Sequence, residues 1–133
     1  MTRALTSLLP VRLRTIGLSL LALLTSCMPR SEDASGIVAR FGDPEAGRRI
    51  IARIECGMCH AIPGVAGTTG GVGPPLAGFA QRRYFAGSQP NEPERVLQWI
   101  LNPPSLSPST AMPRMPIDPD EARDVVAYLY TLR

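Results

Sequence analysis

Cys56-Gly57-Met58-Cys59-His60 places two thiols three residues apart, with an imidazole directly after the second. Thiols at this spacing add across the two vinyl groups of a haem as thioethers, and the following histidine sets its ring beneath the iron. A thioredoxin-like pair belongs in a βαβ context, and the sequence has no strand pattern around it. A zinc site needs about four Cys, His or carboxylate ligands at paired spacings, and no second cluster exists. A disulfide suits an oxidising compartment but leaves His60 without a role. The expected cofactor is therefore one haem c, covalent through Cys56 and Cys59, with His60 on its iron.

The opposite face of the iron is narrowed by what the chain lacks. His60 is the only histidine and there is no lysine, so neither can supply a second ligand from within the chain. Met28 and Met58 are poorly placed, the first in a stretch read as a tether and the second inside the attachment loop. Met112 and Met115 remain, both in the proline-punctuated loop Ser109-Thr110-Ala111-Met112-Pro113-Arg114-Met115-Pro116. A methionine in such a loop ordinarily fills a gap. That role yields where a haem needs a donor.

Three helices are expected to position these residues. The first runs from Pro44 towards Cys56, with Asp43 as its cap and Ala46, Ile50 and Ile54 as an apolar stripe. The second covers Pro93–Leu101 and stops before Pro103-Pro104. The third spans Pro119–Leu132, opened by Asp118 with Glu121 in a capping-box arrangement, and buries Val125, Tyr128, Leu129 and Leu132. Gly64–Gly78 is a Gly/Pro-rich loop without periodicity. The fold class is all-α, with long loops around the cofactor.

Upstream of this unit the composition changes. Arg3, Arg12 and Arg14 precede the apolar run Ile16–Leu24. At ~1.5 Å per residue that run falls far short of a ~30 Å hydrocarbon core, so it reads as an export signal and not an anchor. Leu24-Thr25-Ser26-Cys27 resembles the lipobox of bacterial lipoproteins, which implies cleavage before Cys27 and lipidation of its thiol; the alternative is an ordinary cleaved signal with a chance cysteine. Two or three acyl chains would hold the protein stably on a membrane. The expected organisation is a signal peptide at 1–26, a flexible tether at 27–41 and a haem domain at 42–133. Setting aside the three signal arginines leaves 11 arginines against 11 acidic residues. No basic stripe remains for displacing counterions from a phosphate backbone, which excludes nucleic acid as a partner.

From about Gly42 to Arg133 the chain resembles a class I cytochrome c. Gly47, Ile51, Cys56, Cys59 and His60 match that family's first helix, and Val125 and Tyr128 match the positions that pack against it. The resemblance implies that Gly73-Pro74-Pro75-Leu76 supplies the Pro74 carbonyl to the His60 ring N–H. In the family the axial methionine usually precedes the tyrosine of the last helix by 16 residues; Met112 does so here, whereas Met115 lies 13 before Tyr128. That selects Met112, with Met115 as the alternative. Arg82, Ala86-Gly87, Pro90-Asn91, Trp99 and Asn102-Pro103 are similar to the cytochrome c domain fused to subunit II of bacterial haem–copper oxidases. There an arginine and a tryptophan bind haem propionates, which implies Arg82 and Trp99 here. The copper-binding and transmembrane parts of subunit II are absent, so the chain reads as a free-standing relative of that module.

The implied function is a lipid-anchored monohaem electron carrier on the periplasmic side of the outer or cytoplasmic membrane. Its implied partners are redox proteins, an oxidase or a dehydrogenase. No base, nucleophile or acid pair stands out, so it is not expected to be an enzyme by itself. Two other functions fit the same residues: the electron-accepting subunit of a dehydrogenase complex, and a gas-binding or sensor haem protein with Met112 off the iron.

Overall fold

Asp43 and Asp118, each followed by proline, open the two helices that cross at the centre of the fold. The Asp43 carboxylate accepts from the N–H of Glu45 at 2.8 Å, and that of Asp118 from Asp120 and Glu121 at 2.9 Å. These donors have no partner within a helix, and a proline at the first helical position gives up no hydrogen bond. The computed structural model describes residues 34–133; the expectations for 1–33, including Cys27 and Met28, lie outside them. The described helices are α1 Ala34–Phe41, α2 Pro44–Arg53, α3 Pro93–Leu101 and α4 Pro119–Leu129.

Helix α1 corrects the expected tether, which was to run through Phe41. Ile37, Val38 and Phe41 recur at helical spacing and pack against the core, and the Arg123 guanidinium of α4 lies 5.5 Å over the Phe41 ring. A half-buried apolar face of this kind, with a cation over its aromatic, orders a segment whose composition alone looks like a linker.

The core is built where α2 meets α4. A Cβ on Gly47 would stand 2.0 Å from the Asp124 carbonyl oxygen, so only glycine permits this approach. The buried face of α2 is Gly47, Ile50 and Ile51. Ala46 and Ile54, expected in the stripe, are half-buried. Val125, Val126, Tyr128 and Leu129 of α4, with Val96 and Ile100 of α3, complete the apolar interior. The capping box at Asp118 is only half made, because the Glu121 carboxylate instead accepts from Arg53 of α2. Helix α4 ends at Leu129, three residues short of the expected Leu132. Leu132 is still buried, and its carbonyl accepts from Ala80 N–H at 3.0 Å.

One small hairpin was not legible from sequence. Tyr84–Phe85 (β1) pairs antiparallel with Gln89–Pro90 (β2), turning through Ala86 and Gly87 at φ 44° and 87°. Strands of two residues are too short to show an alternating pattern. Among the described residues no helix is long and apolar enough to cross a membrane.

Candidate functional site

Glu55 ends the run of α2 by taking the left-handed conformation, φ 58° and ψ 34°. That costs a residue with a Cβ roughly 1–2 kcal/mol, and it redirects the chain into a tight 3₁₀ turn over Cys56–Met58. Within it Cys59 N–H and His60 N–H both donate to the Cys56 carbonyl, at 3.2 and 3.0 Å. The two thiols are unpaired, and both line the same cavity as His60. Burial, with a smaller contribution from Cys59, pushes the Cys56 thiol up to about 11. A thiol–disulfide catalyst needs the opposite shift.

His60 is gripped from two sides. Its Nδ1 lies 2.7 Å from the Pro74 carbonyl oxygen. A carbonyl can only accept, so Nδ1 carries the proton and Nε2 keeps the lone pair a metal would use. Gly73 closes the other side: a Cβ there would stand 2.4 Å from Cε1 of the ring. The loop is itself pinned, with Gly73 N–H donating to Cys59 O and Leu76 N–H to Ala61 O, both at 2.8 Å.

Thr110, Met112 and Met115 line the same cavity. Met112 N–H donates to Thr110 Oγ1 at 3.1 Å, closing a small turn that fixes the backbone before Pro113. Both methionines are half-buried in the cavity lining, and Met115 is packed against the core cluster as well.

Arg82 and Trp99 also line the cavity. Arg82 Nη2 donates to the Pro75 carbonyl and, at 3.0 Å, to that of Ala77, while the guanidinium lies 5.5 Å over the Phe79 ring. Trp99 meets Phe85 edge to face, ring centroids 5.8 Å apart. Phe79 and Phe85 form the aromatic wall between them. Both come from a stretch without periodicity, so no spacing marks them in the sequence.

The cavity has a volume of about 560 Å³ and a mainly apolar lining that includes Ile51, Val96, Val125 and Leu129. Cofactor pockets span roughly 300–1,000 Å³ and are apolar with a few placed polar groups. Two thiols, one imidazole and a thioether in one cavity lining are the donor set that haem c requires. Gly73 leaves the His60 ring the room it needs. The residues present fit the group.

Comparison with known proteins agrees. The family model described as Cytochrome c matches residues 44–133. Cytochrome c oxidase subunit 2 of Alkalihalophilus pseudofirmus is 33% identical over 88 residues, covering 65% of this chain and 25% of that protein. The present chain therefore spans about a quarter of the length of the curated relative it matches.

Proposed function

The chain belongs to the cytochrome c family, an electron-transfer family with haem c bound covalently, here through Cys56 and Cys59; from that premise we propose that it is a lipid-anchored carrier of single electrons between respiratory partners on the periplasmic side of a bacterial membrane. One observation carries the reading: Cys56, Cys59, His60 and Met112 all line one apolar cavity. When bound there, haem c supplies reversible one-electron exchange. His60 and Met112 would occupy both axial positions, which favours electron transfer over binding of small gases. The Pro74 carbonyl fixes the orientation and tautomer of the His60 ring. Arg82 and Trp99 lie on the cavity wall with N–H donors suited to carboxylates, which is the chemistry of the haem propionates.

Access for a partner is provided at the cavity mouth, where Met58 is 71% and Val72 78% exposed. Encounters of this kind are small and transient. The similarity to an oxidase subunit supports a terminal oxidase as acceptor. Cys27 would be the lipidated terminus, holding the carrier at the membrane where such partners reside. Substrate chemistry of its own is not part of this reading.

Redox titration of the haem-loaded protein should follow a one-electron Nernst curve, and the ferrous protein should leave carbon monoxide unbound. Reduced protein mixed with membranes of its host should be reoxidised in a cyanide-sensitive step. Rapid uptake of carbon monoxide by the wild type would instead make it a gas-binding protein.

A further inference from the structure

Asn91 lies in the extended segment between β2 and α3, and its side chain is fully engaged. Nδ2 donates to the carbonyls of Phe79 at 2.8 Å and Arg82 at 3.0 Å, and Oδ1 accepts from the Tyr130 hydroxyl at 3.0 Å. Both backbone partners can only accept, so the amino end of the amide must face them and the carbonyl end must face the tyrosine. No other arrangement satisfies all three partners. The Asn91 N–H adds a bond to the Arg83 carbonyl at 3.0 Å. The backbone from 79 to 83 is therefore tied at three carbonyls by one residue, and that residue is tied to the end of α4.

The segment so held is the one that carries Arg82. Arg82 in turn holds the Pro75 and Ala77 carbonyls, and the carbonyl immediately before them, that of Pro74, is the one 2.7 Å from His60 Nδ1. A continuous hydrogen-bonded path thus runs from Tyr130 through Asn91, the 79–82 backbone and Arg82 to the loop that orients His60. We propose that Asn91 is a positioning residue for His60: by fixing where Arg82 stands, it holds the 73–77 loop in the register that presents Pro74 O to the ring N–H. The inference rests on His60 being the axial ligand. If Asn91 only satisfied buried carbonyls, its loss would lower stability without reaching the ring.

The test reads the ring directly. In the reduced, haem-loaded protein, solvent exchange of the His60 Nδ1–H is measured by NMR. Asn91→Ala should speed that exchange about tenfold, the order expected when the net worth of a hydrogen bond is lost from the path. Tyr130→Phe removes only a hydroxyl, keeps the ring in the core, and should act in the same direction by about threefold. Gln98→Ala, which removes an exposed bond to Ser105 remote from the path, should change nothing. In an Arg82→Gln background Asn91→Ala should add little, because the link between them is already cut. Exchange within about twofold of wild type in both Asn91→Ala and Tyr130→Phe, with a lowered unfolding midpoint, overturns the proposal and leaves Asn91 a structural residue. A wild type with no haem-shifted His60 resonance overturns the axial assignment itself, and the proposal with it.

Discussion

Gly47 of α2 and Asp124 of α4 meet so closely that a Cβ on the glycine would stand 2.0 Å from the aspartate carbonyl oxygen. Asp124 also reaches back, its Oδ1 accepting from Asp43 N–H at 2.8 Å, so the helix contact and the α2 start are locked together. Gly47→Ala must push α4 outward or bend it. The expected cost is about 2–3 kcal/mol, in the upper range for overpacked sites, measured by urea unfolding of the haem-loaded protein. Because α4 lends Val125 and Leu129 to the cavity wall, the visible spectrum should broaden as well.

Met112→Ala and Met115→Ala should part company. The first should abolish the sulfur-to-ferric-iron charge-transfer band, open the iron to carbon monoxide and lower the potential by roughly 59 mV or more, a tenfold change in a one-electron equilibrium. The second should keep the band and cost about 1 kcal/mol of stability, since Met115 is half-buried against the core and its truncation loses part of that packing. The reverse pattern would put Met115 on the iron.

Cys27→Ser should release the protein from the membrane fraction. Wild-type protein should partition into detergent extracts and the variant into the soluble periplasmic fraction. If both are soluble, the anchor is absent.

Electron transfer should depend only weakly on ionic strength. Asp118, Asp120, Glu121 and Asp124 cluster at and after the start of α4, but most of them are engaged within the chain. Asp118 caps its own helix, Glu121 pairs with Arg53, and Asp124 holds Asp43 N–H. The second-order rate with a redox partner should stay within about threefold as the screening length shrinks from ~30 to ~8 Å. A steep fall would reveal a local charged patch.

Stability should fall at alkaline pH. Burial raises the Tyr130 and Tyr128 hydroxyls above the usual tyrosine value of 10.0. The unfolded chain then loses these protons first, so their contribution is complete below pH of about 10 and declines above it. Unfolding free energy should be flat from about pH 7 to 9 and drop beyond, and Tyr130→Phe should flatten the drop.

The sequence is explicit about the chemistry and about the helices, and vague about what joins them. Cys56, Cys59 and His60 are adjacent in the chain, so their meeting needs no tertiary reasoning. Pro93–Leu101 was delimited to the residue because prolines bound it on both sides. The grip of Arg82 on the 75–77 carbonyls and of Asn91 on Phe79 and Arg82 left no trace, since a side chain bonding to backbone imposes no residue type on its partner. Helix α1 was missed for a different reason. Two turns with a single apolar face are indistinguishable from a linker until the surface that covers them, on α4, is known.

That covering has a mechanical side. Tension applied to the chain ahead of residue 34 arrives first at α1, whose Ile37, Val38 and Phe41 are only partly buried. Behind it, Gly47 of α2 and Asp124 of α4 are so close that no Cβ fits between them. Under load α1 would peel from α4 while the ring of His60 stays seated against Gly73. A pull from that end would make the fold yield at its edge, leaving the site around His60 undisturbed.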